Sequence, residues 1–136
     1  MQRGRRRRGR PSAWAELGDP RGFLKHGRGK EREQPVAERV VGWGEFSIPP
    51  TAVELTTQAA RCMDCGIPFC HQACPLGNVI PDWNDHVFHG RTEAAIASLL
   101  ATNNFPDITG RVCPAPCEAA CVLNIESAPV SKPINY

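Results

Sequence analysis

Cys62-Met63-Asp64-Cys65-Gly66-Ile67-Pro68-Phe69-Cys70-His71-Gln72-Ala73-Cys74-Pro75 packs four cysteines into thirteen residues, spaced C-x2-C-x4-C-x3-C-P. A second group, Cys113-Pro114-Ala115-Pro116-Cys117-Glu118-Ala119-Ala120-Cys121, is spaced C-x3-C-x3-C and holds the other three of the seven cysteines. Every cysteine of the chain belongs to one of these two groups.

The first run is close to the C-x2-C-x2-C-x3-C-P pattern, in which three thiolates hold one iron–sulfur cubane and the fourth reaches a second. Zinc also takes four cysteines, but its knuckles come as two separated C-x2-4-C pairs. The second group here has no x2 pair, and both groups carry Cys-Pro. Prolines beside ligands limit nearby N–H donors and keep water off the sulfurs, which matters for a redox centre and little for zinc. An odd number of cysteines cannot all pair as disulfides within one chain. No apolar signal-peptide core or bilayer-length run is present, so clustered cysteines in a reducing, cytoplasmic setting read as metal ligands.

At 136 residues, 41% of them hydrophobic and with 13 Pro and 12 Gly, the chain supports one small domain that needs a staple. The net charge of +2 is divided: residues 1–50 hold 12 Lys+Arg against 6 Asp+Glu, and residues 51–136 hold 4 against 8. The basic excess belongs to the leader, so overall charge gives no case for nucleic-acid binding by the cysteine module. Residues 1–17 read as a disordered Arg-rich leader, a solvated tail more than a localisation or transit signal. Residues 18–50 read as an extended arm anchored by Phe23 and Leu24, with one short turn or strand at 36–41. Trp43 and Phe46 are expected to plug onto the main core.

The expected domain, 51–130, is all-α. Thr51-Ala52-Val53-Glu54 is a capping box opening a helix over 52–62, with Val53, Leu55, Ala59 and Ala60 in its pattern. Asn78 to Phe88 is a second helix, with Pro81 in its first turn and Ile80, Trp83 and Val87 on one face. Thr92 caps a third, Glu93 to Ala101, with Ile96, Leu99 and Leu100 facing inward. A fourth, from about 114 to 123, follows a turn at Gly110. No repeat is visible.

A helix over 114–123 sets Cys113, Cys117 and Cys121 on one stripe two turns long, too long for one cubane and suited to two neighbouring clusters. By this reasoning Cys62, Cys65 and Cys70 share a cluster and take a fourth ligand from the late group, while Cys74 joins the other two late cysteines. Seven thiols leave one position of eight open, for a carboxylate, amide or histidine, unless one cluster is a three-iron type. His71 neighbours Cys70 and points elsewhere. His26, His86 and His89 read as surface or helix-end residues, and Asp64 as a cap for amides.

Long stretches carry a family resemblance: GDPRGFLKHGR (18–28), PVAERV (35–40), QAARCMDCGIPFCHQACPLGNVIPDWND (58–85) and ATNNFPDITGRVCPAPCEAACVLNI (101–125). They are similar to the N-terminal iron–sulfur domain of the glutamate synthase small (beta) subunit, the α-helical ferredoxin domain that also forms domain II of dihydropyrimidine dehydrogenase. The resemblance implies two 4Fe–4S clusters, one on Cys62, Cys65, Cys70 and Cys121, the other on Cys74, Cys113 and Cys117 with a further ligand. It implies a relay of electrons from NADPH, through FAD in downstream domains, to FMN on the large (alpha) subunit that makes glutamate.

In the family the last ligand is a non-cysteine residue soon after the Pro-Val that Pro129-Val130 resembles. Residues 131–136 offer no Glu or Gln there and read as a truncated end. Gly42-Trp43-Gly44 follows no strand and lacks the third glycine of a dinucleotide turn. The chain alone is therefore expected to oxidise no NADPH, and neither membrane nor nucleic acid is an expected partner. Two other readings are a relay domain of another flavin-dependent reductase with the same front end, and a zinc-stapled binding module.

Overall fold

The computed structural model describes residues 19–124; the leader 1–17, Pro129-Val130 and the end 131–136 lie outside the described residues. The module is built from short helices joined by tight loops, with a two-stranded ribbon in the arm. The expected helical class describes the module, and the ribbon is the exception to it.

The arm is more ordered than its turn-rich sequence implies. It carries the single turns α1 (Gly22–Lys25) and α2 (Val36–Arg39) and pairs β1 (Arg32–Glu33) antiparallel with β2 (Ser47–Ile48), in register Arg32 to Ile48 and Glu33 to Ser47. Its grip on the module is polar and close-fitting. A Cβ at Gly22 would lie 1.7 Å from the Ala60 carbonyl oxygen, so only glycine lets the arm backbone approach this near. The Gln58 side chain accepts from the Gly29 amide at 2.9 Å and donates to the Gly27 carbonyl at 3.1 Å. Leu24 is 61% exposed and Phe23 only half-buried, so the two expected anchors are secondary to Gly22.

Trp43 and Phe46 are not core plugs. Trp43 is fully exposed in the loop between β1 and β2, where no core element reaches it, and Phe46 lies under the Arg39 guanidinium, 5.6 Å from its ring centroid.

In the module, α3 (Ala52–Ala59) opens with the full capping box: the Glu54 amide donates to Thr51 Oγ1 at 3.3 Å, and the Thr51 amide to Glu54 Oε2 at 2.7 Å. The helix stops three residues earlier than expected. Tight turn bonds from Arg61 and Cys62 back to Gln58 and Ala59 replace its ladder, and Cys62 stands beyond the end.

The loop then leads into α4 (Phe69–Ala73), and α5 (Ile80–Phe88) follows with Pro81 as its second residue. Ile80 and Asn84 are buried, and Asn84 satisfies its amide on the Ile80 carbonyl at 2.9 Å. In α6 (Thr92–Leu100) Arg91 takes the cap position without a side-chain bond, so Thr92 is the first helical residue and not the cap. Ala95 is the buried residue of this helix; Ile96 and Leu100 face outward, half exposed, because the close packing against α5 admits only a small side chain.

Two differences bear directly on the cysteines. A helix not foreseen, α7 (Pro106–Val112), runs through Gly110 up to Cys113. Asn103 fixes its start, accepting from the Phe105 amide at 3.3 Å and donating to Thr109 Oγ1 at 2.7 Å. The expected helix over 114–123 is instead α8 (Pro116–Ala120), bounded by extended Cys113 and Cys121 and followed by a 3-10 turn, Val122–Asn124. The reason is Ala115, which sits in the left-handed region at φ 50°. The continuous stripe of three cysteines is therefore not formed, and the two-cluster division loses that support.

Candidate metal centre

Of the late cysteines only Cys117 is helical. The two cysteine groups are nonetheless built alike. Cys70 is the second residue of α4 and Cys74 its C-cap; Cys117 is the second residue of α8 and Cys121 its C-cap. Helices α4 and α8 pack against one another, and Cys70, Cys117 and Ile80 form one buried apolar cluster with Cys74, Trp83 and Ala115 around it.

The likeness extends upstream. Asp64 and Ala115 are the two non-glycine residues with positive φ among those described, at 48° and 50°. Each stands two places after a cysteine and turns its amide back onto that sulfur: Ala115 N–H donates to Cys113 Sγ at 3.3 Å, and Asp64 N–H donates to Cys62. The His71 and Glu118 amides likewise reach Cys70 and Cys117. Amide bonds to sulfur stabilise thiolates and tune a metal centre's potential. Aspartate in this conformation had a sequence signal, since Asp is enriched there; Ala115 had none.

Four of the seven sulfurs come together. Cys62, Cys65, Cys70 and Cys121 line one cavity, closed by apolar groups such as Met63, Phe69, Pro81 and Leu123. It encloses about 320 Å³, its open mouth included. His71 does not line it, and Asp64 contributes its backbone. Cys74, Cys113 and Cys117 lie on the other side of the α4–α8 contact, where the Cys113 and Cys74 thiols act on Cys117; Cys113 itself is exposed.

Burial sets the protonation of these thiols. It pushes Cys62 up to about 12 against the opposing Asp64 amide bond, and Cys117 up to about 11 with the neighbouring Cys113 and Cys74 adding to it. Cys65 and Cys70 are also raised, by burial first and then by Cys121. Dry, clustered thiols are costly to ionise unless a cation takes the charge, so these pockets favour a bound metal centre that displaces protons.

A single ion fits less well than a cluster. Tetrahedral zinc with Zn–S near 2.3 Å needs sulfurs about 3.8 Å apart. Among the described residues no three His, Cys, Asp or Glu side chains converge to hold one ion. Four thiols spread around an apolar cavity suit a larger body with a metal at each corner.

Arg61 was not singled out by sequence. It is 3% exposed, donates from Nη1 to the His26 carbonyl at 2.7 Å, and exchanges charge interactions with Arg28 and Cys121. Arg28 in turn pairs with Glu118 on α8 at 2.7 Å. His26 and His86 are half-buried, whereas His89 caps the end of α5 beside Asp85.

Thiols from two distant segments, gathered in dry surroundings and supplied with amide donors, define an iron–sulfur domain. Residues 39–134 match the family described as dihydropyrimidine dehydrogenase domain II, 4Fe-4S cluster, and the chain belongs to it. Within that family it is similar to the glutamate synthase [NADPH] small chain of Mycobacterium tuberculosis, 56% identical over 116 residues, covering 85% of this chain and 24% of that one. The Bacillus subtilis small chain is 46% identical over 124 residues, covering 85% and 25%. Glutamate synthase [NADH] of Schizosaccharomyces pombe is 49% identical over 118 residues, covering 85% and 6%. The chain thus spans about a quarter of the length of the bacterial small chains it matches. Among the described residues no helix is long and apolar enough to cross a membrane.

Proposed function

We propose that the chain is the electron-relay domain of a glutamate synthase small chain and holds two 4Fe–4S clusters. Cys62, Cys65, Cys70 and Cys121 bind one; Cys74, Cys113 and Cys117 bind the other with a donor that is not a cysteine of this chain. What supports this reading most is the single apolar cavity that joins three thiols of the first segment to one of the last, in a chain of 4Fe–4S family.

When bound, such clusters supply one-electron oxidation and reduction. The chain's own residues supply the rest. The αL amides of Asp64 and Ala115 hold the Cys62 and Cys113 sulfurs, α4 and α8 fix the spacing between the two sites, and Met63, Phe69 and Leu123 exclude water from the first.

Gly42-Trp43-Gly44 lies in the exposed arm loop and opens no helix, so the described residues offer no flavin or nicotinamide cradle. In this reading electrons come from NADPH through an FAD domain like that of the longer relatives, in the cytoplasm. They leave toward the FMN of a glutamate synthase large subunit.

Iron and acid-labile sulfide analysis of the anaerobically purified chain tests the proposal. About eight of each per chain are expected for two cubanes. Zinc without sulfide overturns it, and about four of each rejects the second site alone.

A further inference from the structure

The two sites differ in the charge placed beside them. Next to the first, Arg61 directly precedes Cys62, is 3% exposed, and is fixed by its bond to the His26 carbonyl at 2.7 Å. The arm covers it: Gly22 seats on Ala60, and Gln58 holds Gly27 and Gly29 just beyond His26. The charged groups facing it are the Cys121 sulfur and Arg28, itself paired with Glu118 at 2.7 Å. Around Cys117 at the second site the acting charges are the thiols of Cys113 and Cys74.

We propose that Arg61 tunes the first site electrostatically: its buried positive charge, pinned by the arm, raises the reduction potential of a cluster held by Cys62, Cys65, Cys70 and Cys121 and leaves the Cys74–Cys113–Cys117 site nearly unaffected. Adding one electron makes a thiolate-ligated cluster more negative, so a nearby cation stabilises the reduced form more than the oxidised one. Inside the protein this attraction is several times stronger than in water and poorly screened by salt. Asp64 opposes it from beside Cys62 and Cys65, but that residue is exposed and its charge is weakened by solvent. A guanidinium is suited to the role because it stays charged when buried. The bland alternative is that Arg61 merely ties the arm to the end of α3.

This inference rests on the two-cluster reading, and the test separates the two. The full 136-residue chain is titrated anaerobically with dithionite and redox mediators, following the clusters by electron paramagnetic resonance. Arg61→Gln keeps a donor for the His26 carbonyl but loses the charge; it should lower one midpoint potential by about 59 mV, a tenfold change in the reduced-to-oxidised ratio for one electron, and leave the other in place. Arg61→Lys should restore most of the shift. Gln58→Ala, which loosens the arm and keeps the charge, should move neither potential comparably.

Equal shifts of both clusters, no shift in Arg61→Gln, or an equal shift in Gln58→Ala would overturn the proposal. Should Arg61→Gln not hold its clusters, the wild-type chain still decides. Raising salt from about 0.05 to about 0.5 M should move the first potential less than the second, whose Cys113 is exposed, and the reverse order overturns the proposal. A wild-type chain without iron and sulfide would instead sink the two-cluster reading itself.

Discussion

The segments 62–74 and 113–121 are two versions of one device. Each has a cysteine, a left-handed residue two places on, then a short helix with cysteines at its second residue and its C-cap. They part at one point. Cys65 directly follows the left-handed Asp64, whereas Pro116 directly follows the left-handed Ala115. The early segment therefore offers four thiols and the late one three. If the two exchange their C-cap cysteines, as the cavity with Cys121 among its lining residues suggests, the first site is complete in thiols and the second is not. A small change in sequence, cysteine to proline at one turn, separates a closed site from an open one.

The sharpest way to break this comparison is to remove one cysteine from each site. Cys121→Ser should empty the first site, roughly halving iron and sulfide, and lower thermal stability by several degrees, since the cavity between α4 and the 3-10 turn loses its filling. Cys113→Ser, at an exposed position already in a site short of thiols, should cost less stability while loosening only the second cluster. Equal losses would mean that the two sites are not distinct in the way their burial implies.

Next in size is the arm, which clamps the early segment and touches the late one only through ion pairs. Gly22→Ala sets a methyl against the Ala60 carbonyl, backbone to backbone, where neither side yields easily. A cost of about 2 kcal/mol is expected, in the range of overpacking. Amide hydrogen exchange should show faster opening of residues 19–33 and of the Ala60–Cys62 turn, with α7 and α8 nearly unchanged. Protection lost equally throughout would mean that the arm is not specific to the first segment.

The helices were legible where a local rule acts alone. Thr51 and Glu54 form their box as written, and Pro81 and Ile80 open α5. The errors came where one residue overrode its neighbours. Gly110 reads as a turn, yet Asn103 and Pro106 start a helix that carries through it. Ala115 reads as helical, yet its left-handed backbone splits the late group and cancels the expected stripe. The arm misled for another reason: its hold comes from Gly22, Gln58 and Arg61, which bond backbone groups, while pattern reading sought apolar anchors and chose Trp43. Which cysteines line the cavity followed from the family resemblance, and the near-repeat that explains it was hidden by unequal spacing, Cys62 to Cys70 against Cys113 to Cys117.

That near-repeat makes a finer prediction. A left-handed alanine costs about 1–2 kcal/mol, whereas aspartate tolerates the region better and glycine is free there. Ala115→Gly should relieve most of that strain, less the entropy glycine adds to the unfolded chain, for a net gain below about 1 kcal/mol. Asp64→Gly should gain less or nothing. Thermal denaturation of the two variants under identical cluster loading ranks them; a larger gain at position 64 would contradict the parallel geometry.

The smallest expected effect concerns the ion pair by which the arm reaches the late segment. Arg111 on α7 donates to Glu45 at 2.7 Å, and this bond, with the Ser47 amide, holds the Glu45 carboxyl below its usual value of 4.5. A carboxylate depressed on folding contributes stability that is present above about pH 4.5 and lost as pH falls through its folded value. Both groups are well exposed, so the pair is weak and salt-sensitive. Between pH 6 and pH 3 the loop between β1 and β2 should therefore loosen from α7, seen as faster exchange at residues 45–48, and Glu45→Gln should show the loose state already at pH 6. The Gly22–Ala60 seat contains no titrating group, so opening of residues 19–29 should not follow Glu45. If both ends of the arm release together at the same pH, the arm is held as one cooperative piece and not by two independent grips.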